Sequence, residues 1–120
     1  MKLHALALIS AATNTFIAVP PSLAAPHVYT TGSLLSTDLK TCMADAKSAA
    51  DKAGFTSDHY DALDDDKKDG TFFATKPDIP ISLAVRCYPS GGVVTFAIGG
   101  INQDQTWGSY RKYIDSFYKK

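Results

Sequence analysis

Ile81-Ser82-Leu83-Ala84-Val85-Arg86-Cys87-Tyr88, the break Pro89-Ser90-Gly91-Gly92, and Val93-Val94-Thr95-Phe96-Ala97-Ile98-Gly99-Gly100 read as two strands folded on one another. Side chains alternate across a strand, so Ile81, Leu83, Val85 and Cys87 share one face, and Val94, Phe96 and Ile98 join it from the returning strand. That face is core. The opposite face carries Ser82, Ala84, Arg86 and Tyr88 with Val93, Thr95, Ala97 and Gly99, mostly small residues around one cation and one phenol. An antiparallel sheet can leave such a face to water.

Working outward, the helix that must cover the Cys87 face is found upstream. Leu39, Cys42, Met43, Ala46, Ala49, Ala50 and Ala53 recur at helical spacing. Ser36 or Thr37 is placed to cap this helix, with Asp38 in its first turn. Gly54 is placed to end it, and Phe55 to fold back on Ala50. The stripe is narrow and rich in alanine, so the helix can lie close to a sheet with Cys42 pointing at Cys87. The chain has only these two cysteines. A disulfide between them would close about 46 residues and stabilise the fold by roughly 4 kcal/mol in the chain-entropy description. The absence of a Cys-x-x-Cys spacing argues against a reactive pair.

Elsewhere, His27 to Thr31 is rich in strand formers and is expected to end at Gly32. Residues 55–62 alternate poorly and suggest an edge strand. Asp64 to Gly70 is a charged reversal, and Thr71 to Thr75 returns as a strand. Pro77-Asp78-Ile79-Pro80 cannot sit inside a ladder and is a loop. A last helix, capped by Asn102 or Asp104, is expected to bury Trp107, Tyr110, Ile114, Phe117 and Tyr118. The order β-α-β-β-β-β-α predicts an α+β two-layer sandwich, with a mainly antiparallel sheet and both helices on the Cys87 face. The helix between the first two strands asks for a right-handed crossover.

Residues 1–24 read as a signal peptide: Lys2, an apolar run from Leu3, then Pro20-Pro21-Ser22-Leu23-Ala24 with small residues where a peptidase cuts. The run is interrupted by Ser10, Thr13, Asn14 and Thr15 and is short for a span. Cleavage after Ala24 leaves 25–120 as a single domain with no membrane span, secreted or periplasmic, where a disulfide persists. Without Lys2, 11 basic residues face 12 acidic ones, all aspartate. That balance offers nothing to nucleic acid.

The candidate sites follow from residue chemistry. Asp61, Asp64, Asp65, Asp66 and Asp69 precede Gly70, but an EF-hand loop begun at Asp65 would have Lys67 third and Lys76 twelfth, where carboxylates are required. A solvated turn is the better reading, with no metal. His59, flanked by Asp58 and Asp61, offers an acid/base or metal pair with no third strong ligand. Ala25-Pro26-His27 at the expected new N-terminus lacks the second amide N–H that a square-planar copper site uses. No nucleophile elbow or phosphate loop occurs. Arg86, Tyr88 and Thr95 project from the open face and form a candidate binding face, because a guanidinium beside a phenol on a rigid strand offers planar hydrogen bonding and stacking; the competing reading is that Arg86 only pairs with an aspartate across the sheet.

The leader, the helix ending Asp51-Lys52-Ala53-Gly54-Phe55, and Arg86-Cys87-Tyr88 before Val93-Val94-Thr95-Phe96-Ala97-Ile98-Gly99-Gly100 together resemble small exported bacterial proteins of unassigned function. That resemblance implies no activity. The expectation is a non-catalytic secreted or periplasmic domain that binds a protein or small ligand, without a cofactor. The alternative is a small metal-dependent protein or enzyme using His59 with Asp58 or Asp61.

Overall fold

A computed structural model describes residues 25–119; the expected signal peptide lies outside the described residues. Five strands, β1 (His27–Leu34), β2 (Ser57–Leu63), β3 (Gly70–Thr75), β4 (Ile81–Tyr88) and β5 (Val93–Gly100), form one sheet in the order β1-β5-β4-β3-β2. Every neighbouring pair is antiparallel. Helix α1 (Leu39–Ala53) follows β1, and α2 (Gln103–Tyr118) closes the chain. Both helices lie on the Cys87 face, giving the expected two-layer α+β sandwich.

The crossover differs from a simple β-α-β unit. β1 and β2 run in the same direction but occupy opposite edges, with β5, β4 and β3 between them. Three hairpin-like steps fill the sheet after α1 has carried the chain across it, so the first and second strands never meet.

The β4–β5 reversal forms where Pro89-Ser90-Gly91-Gly92 breaks the pattern: Pro89–Gly91 makes one short 3₁₀ turn, and Gly92 has φ 69°. Cys87 pairs with Val94 and Val85 with Phe96. Ile81, Leu83, Val85, Cys87, Val94, Phe96 and Ile98 are all buried, as alternation requires. At residue 32 the sequence reading is corrected: β1 continues to Leu34. Gly32 pairs with Thr95, and an added Cβ would stand 3.1 Å from Thr95 Cγ2, so this glycine permits close strand approach and does not end the strand.

The start of α1 also differs. Asp38, expected in the first turn, is itself the cap, its carboxylate accepting the Thr41 N–H at 2.8 Å. Hydrogen bonding from Thr41, its side chain first and then its backbone N–H, holds the Asp38 carboxyl below its ordinary range. The helix ends at Gly54, and the Phe55 N–H donates to the Ala50 carbonyl at 2.8 Å. Between these ends Cys42, Met43, Ala46, Ala49, Ala50 and Ala53 are buried. Cys42 and Cys87 are bonded, with their Cα atoms 6.0 Å apart.

Asn102 caps α2 through the Gln105 N–H. The buried stripe of this helix is Thr106, Ser109, Tyr113 and Phe117, whereas Trp107 and Tyr118 are exposed and Tyr110 and Ile114 are half-buried. The expected aromatic stripe is therefore rotated by part of a turn. Tyr113 is why: its ring fits between Phe55 and Phe96, and its hydroxyl donates to the Ala46 carbonyl, joining the two helices. Burial pushes this phenol well above its ordinary range, so it remains a donor.

Candidate functional site

Arg86, Tyr88 and Thr95 occupy the open face, with Arg86 between Thr71 on β3 and Thr95 on β5. The guanidinium is engaged there. Nη1 donates to Asp64 Oδ1 at 2.7 Å and Nη2 to Asp64 Oδ2 at 2.6 Å, a forked pair. The guanidinium carbon lies 5.8 Å from the centre of the Tyr88 ring. Hydrogen bonding from Arg86 holds the Asp64 carboxyl below its ordinary range, and the same contact raises the arginine. The pair ties the β2–β3 reversal to β4 at a part-exposed position, where water weakens it. What the trio leaves for a partner is the exposed Tyr88 ring and the Thr95 hydroxyl.

His59 has different partners from those its neighbours in sequence suggest. Its ring meets Phe72 edge-on at 5.2 Å on the helix side of β2. Nε2 donates to the Phe55 carbonyl at 2.6 Å, and the carboxylate facing it is Asp51 of α1, at 3.6 Å. Asp58 has φ 52° in the β-bulge between Ser57 and Tyr60, and its carboxylate accepts from the Thr75 hydroxyl. Thr75 belongs to the open face, so the bulge sends Asp58 away from the imidazole. Among the described residues His59 belongs to no trio of metal-ligating side chains.

One such trio exists there: Asp64, Asp66 and Asp69, with oxygens within 4.8 Å of one another. Each already serves the turn. Asp64 accepts from Arg86, Asp66 from the Lys68 N–H at 3.0 Å, and Asp69 from the Ser90 N–H at 3.1 Å. Together they brace the reversal against β4 and the turn that follows it. His27, at the start of β1, is paired with Gly100.

The site that the sequence did not reveal lies between α1 and β2. The two helices divide the sheet, α1 lying over β3 and β4 and α2 over β5 and β1. β2 is left at the margin, and beside it runs a groove of about 490 Å³, within the roughly 300–1,000 Å³ of small-ligand clefts. Leu39, Met43, Ala44 and Leu63 supply its apolar surface, and Leu63 remains 50% exposed. Lys40, Lys47 and Lys67 stand around it with a single carboxylate, Asp61. None of the three lysines makes an ion pair among the described residues.

Local structure explains how these residues meet. Leu39, Lys40, Met43, Ala44 and Lys47 lie along one side of α1, and Asp61 and Leu63 share the helix-side face of β2 through their pairing with Phe72 and Gly70. Lys67 arrives from the turn with φ 56°, a left-handed conformation that costs a side-chain-bearing residue about 1–2 kcal/mol. The Lys67 N–H donates to the Asp64 carbonyl at 2.8 Å and the Asp64 N–H to the Asp69 carbonyl at 2.9 Å, which imposes that conformation. Helical spacing alone sets Lys40 and Lys47 on either side of Met43; strand order and the turn bring Leu63 and Lys67 to them. Comparison with protein-family models, with curated proteins and with solved structures found no match to this chain.

Proposed function

We propose that this chain is a non-catalytic, exported domain that binds a small ligand in the groove between α1 and β2. The observation that carries the reading is the groove itself: a concave apolar surface of Leu39, Met43, Ala44 and Leu63 left open beside β2. A ligand there would meet a framework held rigid by the Cys42–Cys87 bridge at the inner face of α1. Export is supported by that bridge and by the leader-like residues 1–24. No helix among the described residues is long and apolar enough to cross a membrane. The non-catalytic reading is supported by His59, whose Nε2 is committed to the Phe55 carbonyl.

Methyl-resolved NMR during a screen of small amphiphilic molecules tests this. Shifts should concentrate at Leu39, Met43 and Leu63. Shifts confined to the open face around Tyr60, Phe73 and Tyr88 would move the site there. That second reading, a protein partner on the open face, is favoured by the stacked, exposed Tyr60–Phe73 pair. Intact mass of the exported protein should give a chain starting at Ala25 with both thiols blocked until reduced.

A further inference from the structure

We infer that the groove's ligand is a monomeric single-chain anionic amphiphile, a carboxylate on an alkyl tail; this rests on the groove being the binding site. Charge complementarity over an apolar surface selects such a ligand. An anionic headgroup would gain the three exposed lysines around the groove, which a purely apolar ligand cannot use, and a compact hydrophilic anion would leave the half-buried Leu39 and half-exposed Leu63 uncovered. A carboxylate with a tail satisfies both. Three cations against Asp61 leave the rim net positive, although the chain as a whole is balanced. Lys67 is the most telling of the three. Its turn position suits glycine or asparagine, yet it carries a lysine that lines the groove.

A tail laid between Met43 and Leu63 would exclude water from the lower part of the groove. The attraction between the lysines and the headgroup strengthens as water leaves. The amines are themselves exposed, so the headgroup end stays at the solvent boundary and binding is sensitive to salt.

The probes are laurate below its micelle concentration, neutral octyl glucoside, and vesicles of anionic phospholipid, with the chain studied by calorimetry and methyl NMR. Laurate is expected to bind one-to-one, to shift the Leu39, Met43 and Leu63 methyl signals, and to weaken on moving from low to high salt. Lys67→Gly, which suits the left-handed turn and so preserves the fold, should weaken laurate roughly two- to fivefold. Lys40→Gln with Lys47→Gln should weaken it further. If octyl glucoside shifts the same methyls as strongly as laurate, or the lysine variants bind laurate unchanged, the anionic assignment is overturned while the groove stands. If no probe moves those methyls, the groove itself is wrong. Binding to anionic vesicles without a response to monomeric laurate would replace the single-chain ligand with a membrane surface.

Discussion

Over β5 and β1, α2 lays large rings: Tyr113 and Phe117 pack on Phe96 at 5.8 and 4.8 Å, while Tyr29, Trp107 and Tyr110 form a second cluster at 5.0 to 5.7 Å. Over β4 and β3, α1 lays Cys42, Ala46, Ala49, Ala50 and Ala53, with no aromatic ring of its own. Rings reach outward and close the layer as far as the edge strand. Small side chains let a helix sit close to the sheet, close enough for a disulfide, but leave no bulk to extend over β2. The α2 side carries bulk out to the edge strand for that reason, and the α1 side ends in the apolar groove beside β2.

Removing the bridge gives the largest expected break in this contrast. Cys42→Ala with Cys87→Ala should lower unfolding stability by about 4 kcal/mol, measured by urea denaturation. A loss near zero would mean that the alanine stripe holds α1 unaided. A second test enlarges α1 at two positions on nearly opposite sides of the helix. Ala46 is fully buried beneath Tyr113, so Ala46→Leu should cost about 1–3 kcal/mol by overpacking. Ala44 lines the groove, so Ala44→Leu should change stability by no more than about 0.5 kcal/mol while filling the site. Equal costs at the two positions would show that the groove is not open in solution.

The smallest effect concerns the brace behind the groove. Arg86 depresses the Asp64 carboxyl in the folded state, so its contribution is present above the unfolded carboxylate value, about 3.9. It is lost as pH falls through the lower folded value. Asp64→Asn should therefore lower the melting temperature at neutral pH, with the difference from the parent vanishing in strong acid. A difference that persists unchanged at low pH would separate the brace from its charge.

How much of this was legible beforehand depends on the range of the interaction. The faces of β4 and β5, both cysteines' inward direction, the Gly54 stop and the open loop at Pro77 to Pro80 follow from local rules of alternation, helical spacing and backbone conformation, and the structure has them where those rules put them. Even the placement of Arg86 and Tyr88 on the uncovered face needs only the period of a strand. The rotation of α2 was beyond such rules, because Trp107, Tyr110 and Tyr113 are all plausible core residues and only the slot between Phe55 and Phe96 selects Tyr113.

The partners of charged groups were the least legible. A pairing of Arg86 with some aspartate across the sheet is legible along the chain, but that it is Asp64, and that His59 meets Asp51 from another element, is not, because long-range pairing is set by strand order and not by neighbours in the chain. The elements, the buried face and the bridge could be read along the chain, since each is imposed by a periodicity of backbone geometry. The place of β2 at the edge opposite β1, where small side chains of α1 leave it partly uncovered and Leu63 and Lys67 line an open groove with Met43, follows from strand order, which no local periodicity fixes.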